Sequence, residues 1–154
     1  MAKATVAVTQ DKELFVWKDK LISISTEKTI EVHNLLKLIE DENKIISPKF
    51  NLAGVDFSID VYPDDSVHGG PGFIGVYLYN HGDEDQTTSI SVKEASGEEG
   101  SWEMKKLKAD NSLGWPEFLS HENYQVWAKD HGDVLKLEVM VTVHSKAEGD
   151  GWTR

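Results

Sequence analysis

The chain has 154 residues, about the length of one domain, and carries 27 Asp and Glu against 16 Lys and Arg, a formal net charge of −11. Nucleic-acid backbones and anionic membrane surfaces select clusters of Lys and Arg; the one cluster in sight is Lys105, Lys106 and Lys108, so neither is an expected partner. There is no Cys, which excludes disulfides, thiolate zinc sites and cysteine nucleophiles.

Apolar residues alternate with polar ones through most of the chain, the pattern of half-buried strands. Residues 5–9, 14–17, 21–25 and 29–32 are strand candidates, with polar breaks at Gln10-Asp11-Lys12 and Lys18-Asp19-Lys20. From Asn34 to Glu42 the spacing changes: Leu35, Leu38 and Ile39 stand at i, i+3 and i+4, which predicts a short helix or an irregular loop. Strands are predicted again over 57–62, 73–79 and 88–92. The turn chemistry of Pro63-Asp64-Asp65, His68-Gly69-Gly70-Pro71-Gly72, Asn80-His81-Gly82-Asp83 and Ala95-Ser96-Gly97 punctuates them. Residues 116–122 read as one helical turn. The clearest strand is 134–143, where Leu135, Leu137, Val139, Val141 and Val143 share one face. The polar stretch from Ser145 is expected to fray. No heptad repeat is present, so no coiled coil is encoded. Many short strands with Gly, Pro and Asp turns predict an all-β antiparallel sandwich or barrel.

Signatures of catalysis are weak. There is no Gly-x-Ser-x-Gly, no Ser–His pair is placed by the sequence, and no carboxylate pair stands out from the acidic background. His68, His81, His121, His131 and His144 are scattered without the i, i+4 zinc spacing, and the acidic turns do not fit an EF-hand. The Gly-rich 68–72 segment has no Lys and no helix behind it, so it is not a phosphate loop. The aromatics are more informative. Tyr77 and Tyr79 fall on one face of their strand, and Trp115 sits in a Gly-Trp-Pro stretch read as a turn. The expectation is a non-enzyme without cofactor or metal. The stretch behind Met1 is not apolar, and no apolar run approaches 18 residues, so a cytoplasmic location is expected.

The order of residues 28 to 144 resembles the MATH domain, the TRAF-like β-sandwich. Five segments carry the resemblance: Thr29-Ile30-Glu31-Val32-His33-Asn34-Leu35; Ser47-Pro48-Lys49-Phe50 with the strand from Val55 to Tyr62-Pro63; Phe73-Ile74-Gly75-Val76-Tyr77-Leu78; Ser112-Leu113-Gly114-Trp115 running on to Phe118-Leu119; and Asp133-Val134-Leu135-Lys136-Leu137-Glu138-Val139. Three tryptophans of the family pattern are replaced by apolar residues, Ile30, Phe57 and Leu113. The resemblance implies a sandwich of about eight antiparallel strands over 28–145, with residues 1–27 as a β extension or hairpin and 146–154 as a tail. It also implies a protein-interaction module that takes short extended peptides of partner proteins by strand addition on one face. Carried over position by position, the peptide site is Tyr77, Ile90, Lys105, Ser112, Leu113, Gly114 and Trp115. Lys105 stands where the family can place a groove aromatic. A monomer is expected, with a dimer or trimer left open. Two other classes compete: a carbohydrate-binding sandwich using Trp115, Tyr77 and Tyr79 as a stacking platform, and a protein that self-assembles through residues 1–27 and sheet edges.

Overall fold

The computed structural model describes residues 6–18, 21–39 and 44–146. It is an all-β antiparallel sandwich of two sheets. The first has the order β1 (Val6–Lys18), β2 (Leu21–His33), β10 (Val134–Lys146), β7 (Gln86–Glu94), β8 (Glu99–Leu107). The second runs β3 (Ile45–Ile46), β5 (Val55–Tyr62), β6 (Phe73–Asn80), β9 (Asn111–Ser120), and β4 (Phe50–Leu52) also pairs with β5. Two of these ten strands have only two and three residues, so eight are of ordinary length. The helices are α1 (Leu35–Leu38) and α2 (His121–His131). No helix among the described residues is long and apolar enough to cross a membrane.

The core lies between the sheets. Ile30, Val32, Leu135, Leu137, Val139, Val141, Val143, Ile90 and Val92 line it from the first sheet, and Phe57, Ile59, Val61, Ile74, Val76 and Leu78 from the second. The alternation of β10 is thus realised as predicted, with Lys136, Glu138 and Met140 exposed on the other face.

Several expectations need correction. The four strand candidates before His33 are two strands. The polar run at 10–12 does not break the first strand: it stays within β1, whose register sets Asp11 opposite Lys28 and Lys12 opposite Glu27. β2 continues through positions 27 and 28 and pairs along its length with β10. Residues 112–119 are not a turn: they form β9, hydrogen-bonded to β6. No helical turn occupies 116–119. The helix begins at His121, where Ser120 caps it by accepting the N–H of Asn123 at 3.1 Å, and it ends at Gly132 with a φ of 92°. The strand β8 was not anticipated. The turn position Asp19-Lys20, the end of the 34–42 segment and the tail from residue 147 lie outside the described residues.

Asp133 fastens the helices to the sandwich. Its carboxylate accepts the Tyr124 hydroxyl from α2 at 2.7 Å and the Leu36 N–H from α1 at 3.1 Å, and its backbone carbonyl accepts the N–H of Asn34 at 3.0 Å.

Candidate functional site

The outer face of the second sheet carries a mixed set of polar and aromatic side chains. The register puts Ser112 beside Tyr79 beside Ser58, and Gly114 beside Tyr77 beside Asp60, in two rows crossing β9, β6 and β5. Residues directly opposite share a face, so these rows lie on the side away from the core.

One end of the face is filled by the loop after β5. Asp65 is fully buried and its carboxylate accepts the Tyr77 hydroxyl at 2.5 Å and Nδ1–H of His68 at 2.7 Å. The rings of Tyr62, His68 and Tyr77 pack mutually, with centroids 4.6–5.4 Å apart. The loop is fixed by backbone bonds from Asp65 N–H to Phe73 and from Gly70 N–H to Asp65, and by His121 Nε2–H donating to the Pro63 carbonyl at 2.6 Å. Burial, then the hydrogen bond and charge of Asp65, push the Tyr77 phenol well above its ordinary range. Gly75 makes room for this arrangement, since a Cβ there would lie 2.1 Å from Asp65 Oδ2.

The other end carries Tyr79, Ser58, Asp60, His81 and Lys44. Tyr79 donates its hydroxyl to Asp110 at 2.5 Å, the main reason its phenol titrates above the usual range, and its ring lies 4.5 Å from that of His81. Ser58 donates to Asp60 at 3.2 Å, which leaves its oxygen to accept Nε2–H of His81 at 2.7 Å. Lys44 Nζ stands 3.7 Å from Asp60 and 5.9 Å from the centroids of both Tyr62 and Tyr79. Desolvation raises the Asp60 carboxyl above the ordinary aspartate value, opposed by Lys44, Ser58 and His81.

The seven residues expected to line a peptide groove do not share one surface. Tyr77, Ser112 and Gly114 lie on the outer face of the second sheet, although Tyr77 is only 5% exposed. Leu113 and Trp115 point inward and pack against the core, Trp115 against Trp102 and Phe118 with centroids at 5.1 and 5.8 Å. Ile90 is buried in the first sheet, paired with Trp102, and Lys105 is exposed on β8. Trp115, Tyr77 and Tyr79 therefore form no common stacking platform. Tyr62, Asp60, His68 and Lys44 are not among the expected binding residues; Tyr79 is, through its alternation with Tyr77, as part of the stacking platform.

Gly114 is required where it stands. A Cβ there would lie 2.1 Å from the carbonyl oxygen of Val76 and 2.6 Å from Tyr77 Cα. Gly114→Ala is expected to force β9 away from β6 and cost about 1–3 kcal/mol, read as a lowered midpoint in urea with an unchanged slope.

A second polar network spans the outer face of the first sheet. His144 bridges Ser23 at 2.8 Å through Nδ1 and Ser89 at 2.7 Å through Nε2, while Ser89 accepts the Met104 N–H at 3.0 Å. Burial holds the His144 imidazole below its ordinary value. The histidine thus ties β2, β10 and β7 across one face. Among the described residues, no group of three or more His, Asp and Glu side chains is placed to hold a metal ion. No protein-family model matches the chain, and no curated protein matches it.

Proposed function

We propose that the chain is a non-catalytic, cytoplasmic protein-interaction module of the MATH type. It takes an extended peptide that meets the edge of β9 and crosses the outer face of the second sheet. The observation that carries this reading is the free edge of β9, the last strand in its sheet, set beside a face of tyrosine and histidine rings floored by Gly114. An exposed edge offers unpaired N–H and C=O groups to an added strand, and amphipathic rings beside it supply contact area at small entropic cost. The order of the five MATH-like segments supports the same reading. Among the described residues β1, β3 and β8 also end a sheet; β3 has only two residues, and β8 is distorted at Met104, whose φ is 54°, and carries Lys105 and Lys106, features that discourage pairing.

The test is selection of a displayed random dodecapeptide library on the full chain. Enriched peptides are expected, and each should lose binding when alternate backbone amides are methylated, because methylation removes the donors that pair with β9. Tyr79→Ala should weaken them about thirtyfold, the equivalent of about 2 kcal/mol at a well-placed aromatic. Its circular dichroism should stay that of the parent, since Tyr79 is not among the buried residues. No enrichment, or binding indifferent to amide methylation, would overturn the proposal.

A further inference from the structure

Lys44, Asp60, Tyr62 and Tyr79 are an odd group for the outside of a sheet. The Asp60 side chain is only 3% exposed, yet the ammonium that faces it belongs to a side chain that is 36% exposed. The two tyrosine rings flank that ammonium at equal distance. A buried carboxylate with aromatic walls is the chemistry of a cation cage, and here the cation comes from the residue just before β3.

We propose that Asp60, Tyr62 and Tyr79 form a cage for a Lys or Arg side chain of the bound peptide, and that Lys44 fills this cage in the peptide-free chain as an internal stand-in. The inference rests on the peptide-binding reading above and names the residue class at one position of that peptide. Asp60 lies two strands in from β9, about 10 Å at the usual spacing of sheet strands. An extended peptide advances about 3.3 Å per residue, so the basic residue stands about three positions from the one that meets β9.

The physical basis is an exchange. A peptide that crosses this face displaces Lys44, and Asp60 is then left desolvated unless the peptide brings a cation of its own. A basic residue restores the pair; an apolar one leaves the buried charge with the Ser58 hydroxyl and no counter-ion, a penalty. Selectivity thus comes from the cost of the wrong residue more than from the gain of the right one. The net charge of −11 adds a long-range preference for basic segments, which salt should weaken. A carboxyl group that burial pushes up is one the fold itself does not favour as an ion, so Asp60→Asn is expected to leave the thermal midpoint unchanged or to raise it.

The test uses the peptides selected above, titrated by calorimetry against the full chain. Enriched sequences should carry Lys or Arg at a constant position. Replacing that residue by norleucine should weaken binding about thirtyfold on the parent chain, and by much less on Asp60→Asn. Lys44→Ala, a change at a surface side chain, should tighten the Lys peptide about tenfold by removing the internal competitor. Peptides that bind without a basic residue, or that tolerate norleucine on the parent chain, would overturn the cage and leave strand addition standing. If no peptide is enriched at all, the peptide-binding reading fails and the cage falls with it. Should Asp60→Asn fail to fold, the Lys44→Ala arm decides: an affinity for the Lys peptide equal to that of the parent would sink the proposal.

Discussion

Trp115→Ala is expected to destabilise the protein by about 3 kcal/mol, the low end of the cost of deleting a large aromatic, because the ring is partly buried against the core. Trp115 reaches from β9 across the gap between the sheets. Its ring packs on Trp102 of β8 and on Phe118, and it lies so close over Gly100 that a Cβ there would come within 2.7 Å of Cε2. These contacts join the free edges of the two sheets, β8 and β9, where no ladder of backbone hydrogen bonds runs between them. Losing the ring opens the sandwich along that edge. For a chain of this length such a cost corresponds to a fall of roughly 6–12 °C in Tm, measured by differential scanning calorimetry. A variant that kept its Tm and lost only partner binding would show that the ring is a ligand contact and that its packing here is incidental.

The second large effect is expected at Tyr124. This side chain is fully buried under α2, and its hydroxyl donates to Asp133, which also receives the backbone of α1. Burial and the neighbouring carboxylate hold the phenol well above its ordinary range, which favours it as a donor to Asp133. Tyr124→Ala should cost about 3–5 kcal/mol by removing the ring. Tyr124→Phe keeps the ring and removes one donor to a charged acceptor, which should cost about 1.5–3 kcal/mol. The two variants compared by urea denaturation separate packing from the hydrogen bond. Equal losses would mean that the hydroxyl carries the whole effect; no loss for Phe would mean that Asp133 is satisfied without it.

The sandwich was legible where the alternation is strong and one face is buried. β10 and β6 were read from such runs, and both sit in the middle of their sheets. The edges were not. β8 reads Glu-Gly-Ser-Trp-Glu-Met-Lys-Lys-Leu, with most of its residues exposed, and its extended form is imposed by pairing with β7. β9 contains Gly114 and Pro116, residues that usually mark turns; the proline is tolerated because a terminal strand has one side unpaired, at a point where the register with β6 already shifts. The expected break at Gln10-Asp11-Lys12 misled for another reason: whether a polar run interrupts a strand depends on its cross-strand register, which local sequence does not reveal. α2 left a fair signal, a Ser cap at 120 and Gly at 132 with Lys129 and His131 in the last turn. Its apolar stripe is sparse, with Tyr124 and Ala128 buried, so periodicity alone did not reveal it.

The site was legible in part. Alternation alone placed Tyr77 and Tyr79 together, and the register confirms that they share a face. What alternation did not convey is depth: Tyr77 is sealed by the 63–72 loop, while Tyr79 is only partly covered. Trp115 was drawn to the surface by the turn reading of Gly-Trp-Pro, and a strand assignment one residue at a time would have turned it inward opposite Val76. Asp60 and Lys44 gave no signal in a chain with 27 acidic residues. Only the three-dimensional arrangement distinguishes a buried carboxylate from its solvated neighbours.

The pairing of β2 with β10 has a consequence for how the protein is made. Val32 lies opposite Leu135 and Ile24 opposite Val143, partners separated by more than a hundred residues of sequence. The β1–β2 hairpin can close as soon as it is synthesised, but the central seam of its sheet waits for a strand translated near the other end of the described chain. Until then Ile30 and Val32 have no cover on that side, so the nascent protein carries an open apolar edge while the hundred or so residues up to β10 are made. Folding of this kind is slow for its size and vulnerable to association while incomplete. A chain cut short before residue 134 lacks the central strand of its first sheet.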